Sequence, residues 1–312
     1  MATTYREPAT LGNYQRAQYH TPVFFLYPER CLGDNASMAP KGVAIRFYGV
    51  RGSLPVPGPG TVRVGGNTSC VLYTVGDETI VLDCGSGIRV LATELMQRKQ
   101  PVRANVLLSH YHWDHLLGLP FFSPIYVPTT ELTFHGERKF DSGAREEVQK
   151  QFTGPNFPVE RKDLNSKLSF RDIKPDDRLT FGEVQVTVFR LNHPNLCLGF
   201  CVEARGTKLI YATDHEHGTD VDNTLIEIAR DADCLIYDAM YTREEYGGRA
   251  TGWGHSTWND GVRIAGAADV KHLYLFHHEP DRDDAAVDAI EAAARSAFGH
   301  CAAAREGDEY RF

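Results

Sequence analysis

The chain is expected to fold as an α/β protein with more than one mixed sheet, each covered by helices. Three observations predict this. Its 312 residues are 42% apolar, enough for a sizeable core, and the length is long for one domain but short for two full ones. Short runs rich in β-branched and aromatic residues recur along the chain, punctuated by glycine and proline. In each half, strand hairpins come first and strand–helix alternation follows, an order that lays helices on mixed sheets.

Residues 1–42 hold four prolines and show no period of 2 or 3.6, so they read as an irregular N-terminal extension. The domain proper is taken as 43–312. Strands are expected at 44–48, 70–75 and 79–82, with Gly76-Asp77-Glu78 as a hairpin turn and the proline-rich stretch 54–60 as a break. A helix over 88–98 follows the Asp83-Cys84-Gly85-Ser86-Gly87 loop, and 105–109 is another apolar strand. The mixed stretch 120–175 predicts a strand near 132–135, a helix near 144–152 and a proline-bearing loop at 154–159. Strands resume at 183–191, 198–204 and 208–212. A helix over 221–230, a strand at 234–238, a helix over 257–267, a strand at 272–276 and a helix over 283–298 close the chain.

Composition excludes some classes of function. The formal charge of −8 argues against a large basic surface for nucleic acid. No apolar run approaches the eighteen or so residues of a membrane span. The opening residues lack the basic and apolar regions of a signal peptide. Seven cysteines, an odd number with no CxxC pair, point to free thiols in a reducing compartment, so the expected location is the cytoplasm.

The informative residue is histidine, thirteen in all. Ser109-His110-Tyr111-His112-Trp113-Asp114-His115 places four potential metal ligands directly after a predicted strand. In an extended loop, His110 and His112 aim to the same side, and Asp114 and His115 open the next turn. Neutral imidazole and carboxylate are the usual ligands of catalytic divalent metals. Three more such residues follow predicted strands: His193, Asp214 and His277. A lone histidine at a strand end is more often an ordinary polar terminus, but three added to one loop are not readily dismissed.

An HxHxDH loop with a later His, Asp and His, each after a strand, resembles the metallo-β-lactamase superfamily of dinuclear metallohydrolases. The resemblance runs over about residues 43–310 and implies an αββα four-layer sandwich with the metals at one edge of the sheets. Gly254-His255-Ser256-Thr257, Gly65-Gly66-Asn67-Thr68-Ser69-Cys70 and Phe47-Tyr48-Gly49-Val50-Arg51-Gly52-Ser53 are similar to the ribonuclease Z and phosphodiesterase branch, nearest to a bacterial group described as cyclic-nucleotide-phosphodiesterase-like. The long glycine-rich, basic arm of ribonuclease Z has no counterpart here.

The resemblance implies two divalent ions per chain, zinc foremost, with manganese or iron as alternatives. One ion goes to His110, His112 and His193, the other to Asp114, His115 and His277, with Asp214 bridging. Asp83 would orient a ligand histidine without binding metal itself. His278 competes with His277, which is preferred because it comes first after the strand. The superfamily often dimerises, so a homodimer is also implied.

Charge arithmetic favours a phosphodiester. Two divalent ions set against Asp114, Asp214 and a hydroxide leave a centre of about +1, which a monoanionic diester neutralises, and the ions bring the pKa of bound water from about 16 towards about 7. Asp114 is then a catalytic residue that orients the hydroxide. His255 is the candidate general acid for the leaving alkoxide. The plainer reading is that it merely precedes a helix capped by Ser256 or Thr257. Asn67, Thr68 and His217 are assigned to substrate, with His215 equally close in sequence and Arg51 more often structural in such a loop. Trp253 and Trp258 flank the His255 loop, where packing is the default. Cys84, Cys197 and Cys201 read as core residues. The expected function is a metal-dependent phosphodiesterase acting on a small molecule such as a cyclic nucleotide, with nucleic acid not expected as a partner. The alternatives are a lactonase or thioesterase on the same scaffold, or a non-enzymatic metal-bound sensor.

Overall fold

The computed structural model describes residues 41–312, and all but the last two residues of the expected extension 1–42 lie outside the described residues. The first sheet is built from β1 (Val43–Gly49), β2 (Cys70–Val75), β3 (Glu78–Leu82), β4 (Arg103–Leu107), β5 (Glu131–Glu137) and β6 (Lys167–Ile173). The second takes β7 (Arg178–Phe181), β8 (Val184–Leu191), β9 (Cys197–Ala204), β10 (Thr207–Ala212), β11 (Cys234–Asp238), β12 (Leu273–Phe276) and β13 (Cys301–Ala303). The last strand, β14 (Glu309–Arg311), returns to pair with β1, so each sheet has seven strands. The helices are α1 (Ile88–Gln97), α2 (Trp113–Leu116), α3 (Ala144–Lys150), α4 (Thr219–Ala229), α5 (Arg243–Glu245), α6 (Trp258–Ala267) and α7 (Asp284–Ala297).

Strand alternation explains the layering. In β2, Val71, Tyr73 and Val75 enter the core between the sheets, while Cys70 and Leu72 pack outward with Leu91 and Leu95 of α1. In β10 and β11, Leu209, Tyr211, Cys234 and Ile236 face inward, and Ile210, Ala212, Leu235 and Tyr237 pack with Leu225, Ile264 and Ala294 of α4, α6 and α7. Both faces of these strands are buried, so both are apolar. The result is the expected αββα sandwich.

Each sheet is mixed. In the first, β14, β1, β2 and β3 are antiparallel, then β3 to β6 are parallel. In the second, β7 to β10 are antiparallel and β10 to β13 parallel. Two reversals make β8 parallel to β10, β11 and β12. Their C-terminal ends therefore lie on one edge, and β3 and β4 end together in the facing sheet, which is where parallel strands commonly deliver functional side chains.

Most predicted elements fall within a few residues of those observed. Four strands escaped prediction. β6 and β7 are largely exposed and polar, and β13 and β14 have three residues each.

Candidate metal centre

Six strand ends converge on one cluster. Asp83 follows β3, His110 follows β4, His193 follows β8, Asp214 follows β10, Asp238 ends β11 and His277 follows β12. Asp114 and His115 come from α2, whose N-cap position is His112. Asp83, Asp214 and His277 all have positive φ, at 61°, 51° and 60°, a left-handed conformation that costs energy for non-glycine residues and clusters at functional sites.

Among the described residues, four groups of potential ligand atoms lie within 4.8 Å of one another; two include His255, and two hold only the expected ligands: His110, His112 and His193, and Asp114, His115, Asp214 and His277. Asp214 faces both. Its Oδ1 is 3.7 Å from His110 Nε2 and 3.8 Å from His193 Nε2, and its Oδ2 is 3.2 Å from His115 Nε2 and 3.3 Å from His277 Nε2. Asp114 Oδ2 is 3.4 Å from His115 Nε2 and 3.2 Å from His277 Nε2.

The far sides of the rings are tied down. His115 Nδ1 bonds Asp83 Oδ2 at 2.9 Å, His193 Nδ1 bonds the Gly254 carbonyl at 2.8 Å, and His110 Nδ1 meets Ser109 Oγ at 3.1 Å. The Nε2 atoms of His110 and His115 are buried with no hydrogen-bond partner. Buried nitrogens left unpaired next to carboxylates are costly in a protein and natural in a cation site. The donor chemistry fits two divalent ions. Burial holds His110 well below the usual histidine range and His193 down to about 4, so both present the neutral imidazole that a metal requires. Burial opposes ionisation of Asp114, yet the facing histidines hold its carboxyl below the usual range.

Asp83 accepts from Ser109 N–H, Ser109 Oγ, Tyr211 Oη and His115, the last three on Oδ2. It orients His115 and stands in neither set. His255 bonds Asp238 Oδ2 through Nδ1 at 2.8 Å, lies 3.9 Å from Asp214 Oδ1, and stacks on His277 at 4.9 Å. Burial alone would depress its pKa, but Asp238 pushes it up to about 9. Asp238 was not anticipated from the sequence.

A family model, the beta-lactamase superfamily domain, matches residues 78–278. The chain belongs to the metallo-β-lactamase superfamily. Among curated relatives, it is 21% identical over 288 residues to ribonuclease Z of Lachnoclostridium phytofermentans, covering 75% of this chain and 86% of that one. It is 25% identical over 213 residues to the probable metallo-hydrolase YhfI of Bacillus subtilis, covering 67% and 79%. The crystal structure of YhfI superposes with a TM-score of 0.66 at 21% identity, covering 86% of this chain and 99% of that one. A diphosphatase of the PhnP family superposes at 0.64 and 18% identity, covering 86% and 98%.

Other residues singled out from the sequence stand outside these two sets. Thr68 is fully buried, and its Oγ1 accepts from Ser86 N–H. Asn67 donates through its amide to Glu306 Oε2 at 2.8 Å and accepts from Ser86 Oγ at 3.0 Å. Both were assigned to substrate. The structure instead commits their polar groups to holding the loop before β2. Arg51 is a buried brace on the carbonyls of Gly65, Glu279 and Arg282. His278 bonds the Ala304 carbonyl, outside both sets. His215 is buried against Asp222. His217 packs at a tilt against Tyr246 with ring centroids 4.3 Å apart and keeps 21% of its side chain exposed. Thr257 caps α6, its Oγ1 accepting from Asp260 N–H. Cys84, Cys197 and Cys201 are buried free thiols.

Proposed function

We propose that the protein is a metal-dependent phosphodiesterase acting on a small phosphodiester such as a cyclic nucleotide. The observation that carries this reading is His255, tethered to Asp238 and standing 3.9 Å from Asp214 Oδ1. A phosphodiester expels an alkoxide, which needs a proton at the moment of departure. An imidazole held by a carboxylate beside the two ligand sets supplies it.

Asp214 is the proposed shared ligand, with His110, His112 and His193 on one side and Asp114, His115 and His277 on the other. Two divalent ions, zinc foremost with manganese and iron as alternatives, supply Lewis acidity toward a phosphoryl oxygen and acidify water when bound. Asp114 Oδ2, itself fixed by Ser53 N–H at 2.8 Å, accepts a hydrogen bond from the attacking water and orients it. In its protonated form His255 donates Nδ1–H to Asp238 and releases the second proton, on Nε2, to the leaving oxygen.

Two large rings support a small organic substrate. Trp113, next to His112, is 83% exposed, and Trp253, next to Gly254, is 55% exposed. They offer apolar faces at the rim, where His217 is also proposed to contact substrate. Ribonuclease Z and diphosphatase are both names for hydrolysis at phosphorus, and the likeness to such proteins supports the choice. The net charge of −8 favours a small diester over a long polyanion.

The test is a panel. Protein loaded with zinc, manganese or iron is assayed on bis-(p-nitrophenyl) phosphate and cyclic nucleotides beside lactones and thioesters. Diester hydrolysis abolished by a chelator is expected. Inactivity on every diester together with acyl turnover would replace this reading with a lactonase or thioesterase.

A further inference from the structure

We infer that Glu216 is a positioning residue for the metal centre, fastening the loop whose Gly254 carbonyl sets the ring of His193. The inference rests on the reading of His193 as a ligand.

Glu216 lies two residues beyond Asp214. Its backbone clasps the residue before His193: Glu216 N–H donates to the Asn192 carbonyl at 2.7 Å, and Asn192 Nδ2 donates to the Glu216 carbonyl at 2.9 Å. Its carboxylate gathers three donors from the opposite loop. Oε1 accepts from Gly252 N–H at 2.6 Å and Tyr246 Oη at 2.7 Å, and Oε2 accepts from Gly254 N–H at 2.8 Å. No basic side chain is among these partners. Two backbone N–H groups and a hydroxyl converge on one nearly buried anion, an arrangement an amide cannot reproduce, since either way round it turns a donor toward at least one backbone N–H.

The loop in turn closes on His193. Gly254 N–H is held by Glu216, and Gly254 C=O accepts from His193 Nδ1 at 2.8 Å. Gly254 has φ +90°, and a Cβ there would fall 2.2 Å from His193 Nδ1, so the backbone lies directly against the ring. By keeping the proton on Nδ1, the carbonyl leaves the Nε2 lone pair for a cation. The neighbouring bonds, Trp253 N–H to Ala250 and Thr251 Oγ1 to Tyr246, stay within the loop. Glu216 thus reaches His193 from both sides, through Asn192 and through Gly254. It touches no reacting atom on this account.

The test is zinc binding by the full chain, measured by competition with a chromogenic chelator, with the visible spectrum of the cobalt-substituted protein as a second readout. Glu216→Gln is expected to lower the affinity of one of the two ions at least tenfold while the other stays within about threefold, and to alter one cobalt environment. Tyr246→Phe, which removes a single donor and leaves Gly254 bound, is expected to keep both affinities. Should Glu216→Gln fail to fold, Glu216→Asp, which keeps the charge but shortens the reach, is read in the same way. Wild-type affinities in the Glu216 variant, or equal loss of both ions in step with melting temperature, would overturn the inference while leaving the ligand assignment standing. Wild-type protein that binds no zinc would overturn the ligand assignment itself, and this inference with it.

Discussion

Asp83 and His115 share a 2.9 Å hydrogen bond from which solvent is wholly excluded on both sides. Asp83 Oδ2 also accepts hydrogen bonds from Ser109 Oγ and Tyr211 Oη, each at 2.8 Å. One buried carboxylate thereby links β3, β4 and β10 and fixes the tautomer of a proposed ligand histidine.

Asp83→Asn is expected to cost about 10–100-fold in affinity for one metal ion. An amide turns a donor toward donors, so about 1–3 kcal/mol of stability should also be lost. Chelator competition and urea unfolding measure the two effects separately. Unchanged affinity for both ions would remove Asp83 from the centre.

His255→Ala is expected to keep both ions and lose at least tenfold in turnover. Asp238→Asn should leave His255 in place but lower its pKa, because the facing carboxylate is what raises it. The protonated imidazole then fails at lower pH, and the alkaline limb of the kcat profile moves toward acid. An unmoved limb would separate His255 from proton donation.

His277 and His278 adjoin in sequence but not in role. His277 Nε2 faces Asp114 and Asp214, and His278 Nε2 bonds the Ala304 carbonyl. His277→Ala is expected to release one ion. His278→Ala should keep the metal content and destabilise the fold by about 1–3 kcal/mol through the orphaned carbonyl. Elemental analysis with thermal melts distinguishes them.

Asn67→Ala tests the reassignment of that residue. Burial raises the pKa of Glu306, and Asn67 supplies two of its donors. Removing the side-chain donor should cost about 1–3 kcal/mol of stability and leave KM for small diesters unchanged. A raised KM with unchanged stability would return Asn67 to the substrate.

The site was legible where a strand ended in a ligand type. His110, His193, Asp214 and His277 each follow an apolar run, and the sandwich brings those ends to one edge. Asp238 obeys the same rule, closing the fully buried β11, and a search for acids at strand ends would have found it. Glu216 carried no such signal. Its partners are the backbone N–H groups of Gly252 and Gly254, which no residue pattern displays. Thr68 and Asn67 were read from a family segment as substrate contacts, and the bonds they make to Ser86 and Glu306 were not visible in that pattern. β6 escaped because its alternation is brief: Leu168 and Phe170 alternate with Lys167, Ser169 and Arg171 and only half-bury, and the pattern breaks at Asp172 on this edge strand.

The central claim is that Asp214 is shared by two cations. Anomalous diffraction from crystals of the zinc-loaded protein, with elemental analysis of the same preparation, tests it most directly. The account predicts two ions per chain, both liganded by Asp214. Fewer than about one ion per chain, or ions bound with Asp214 outside their ligands, would contradict it.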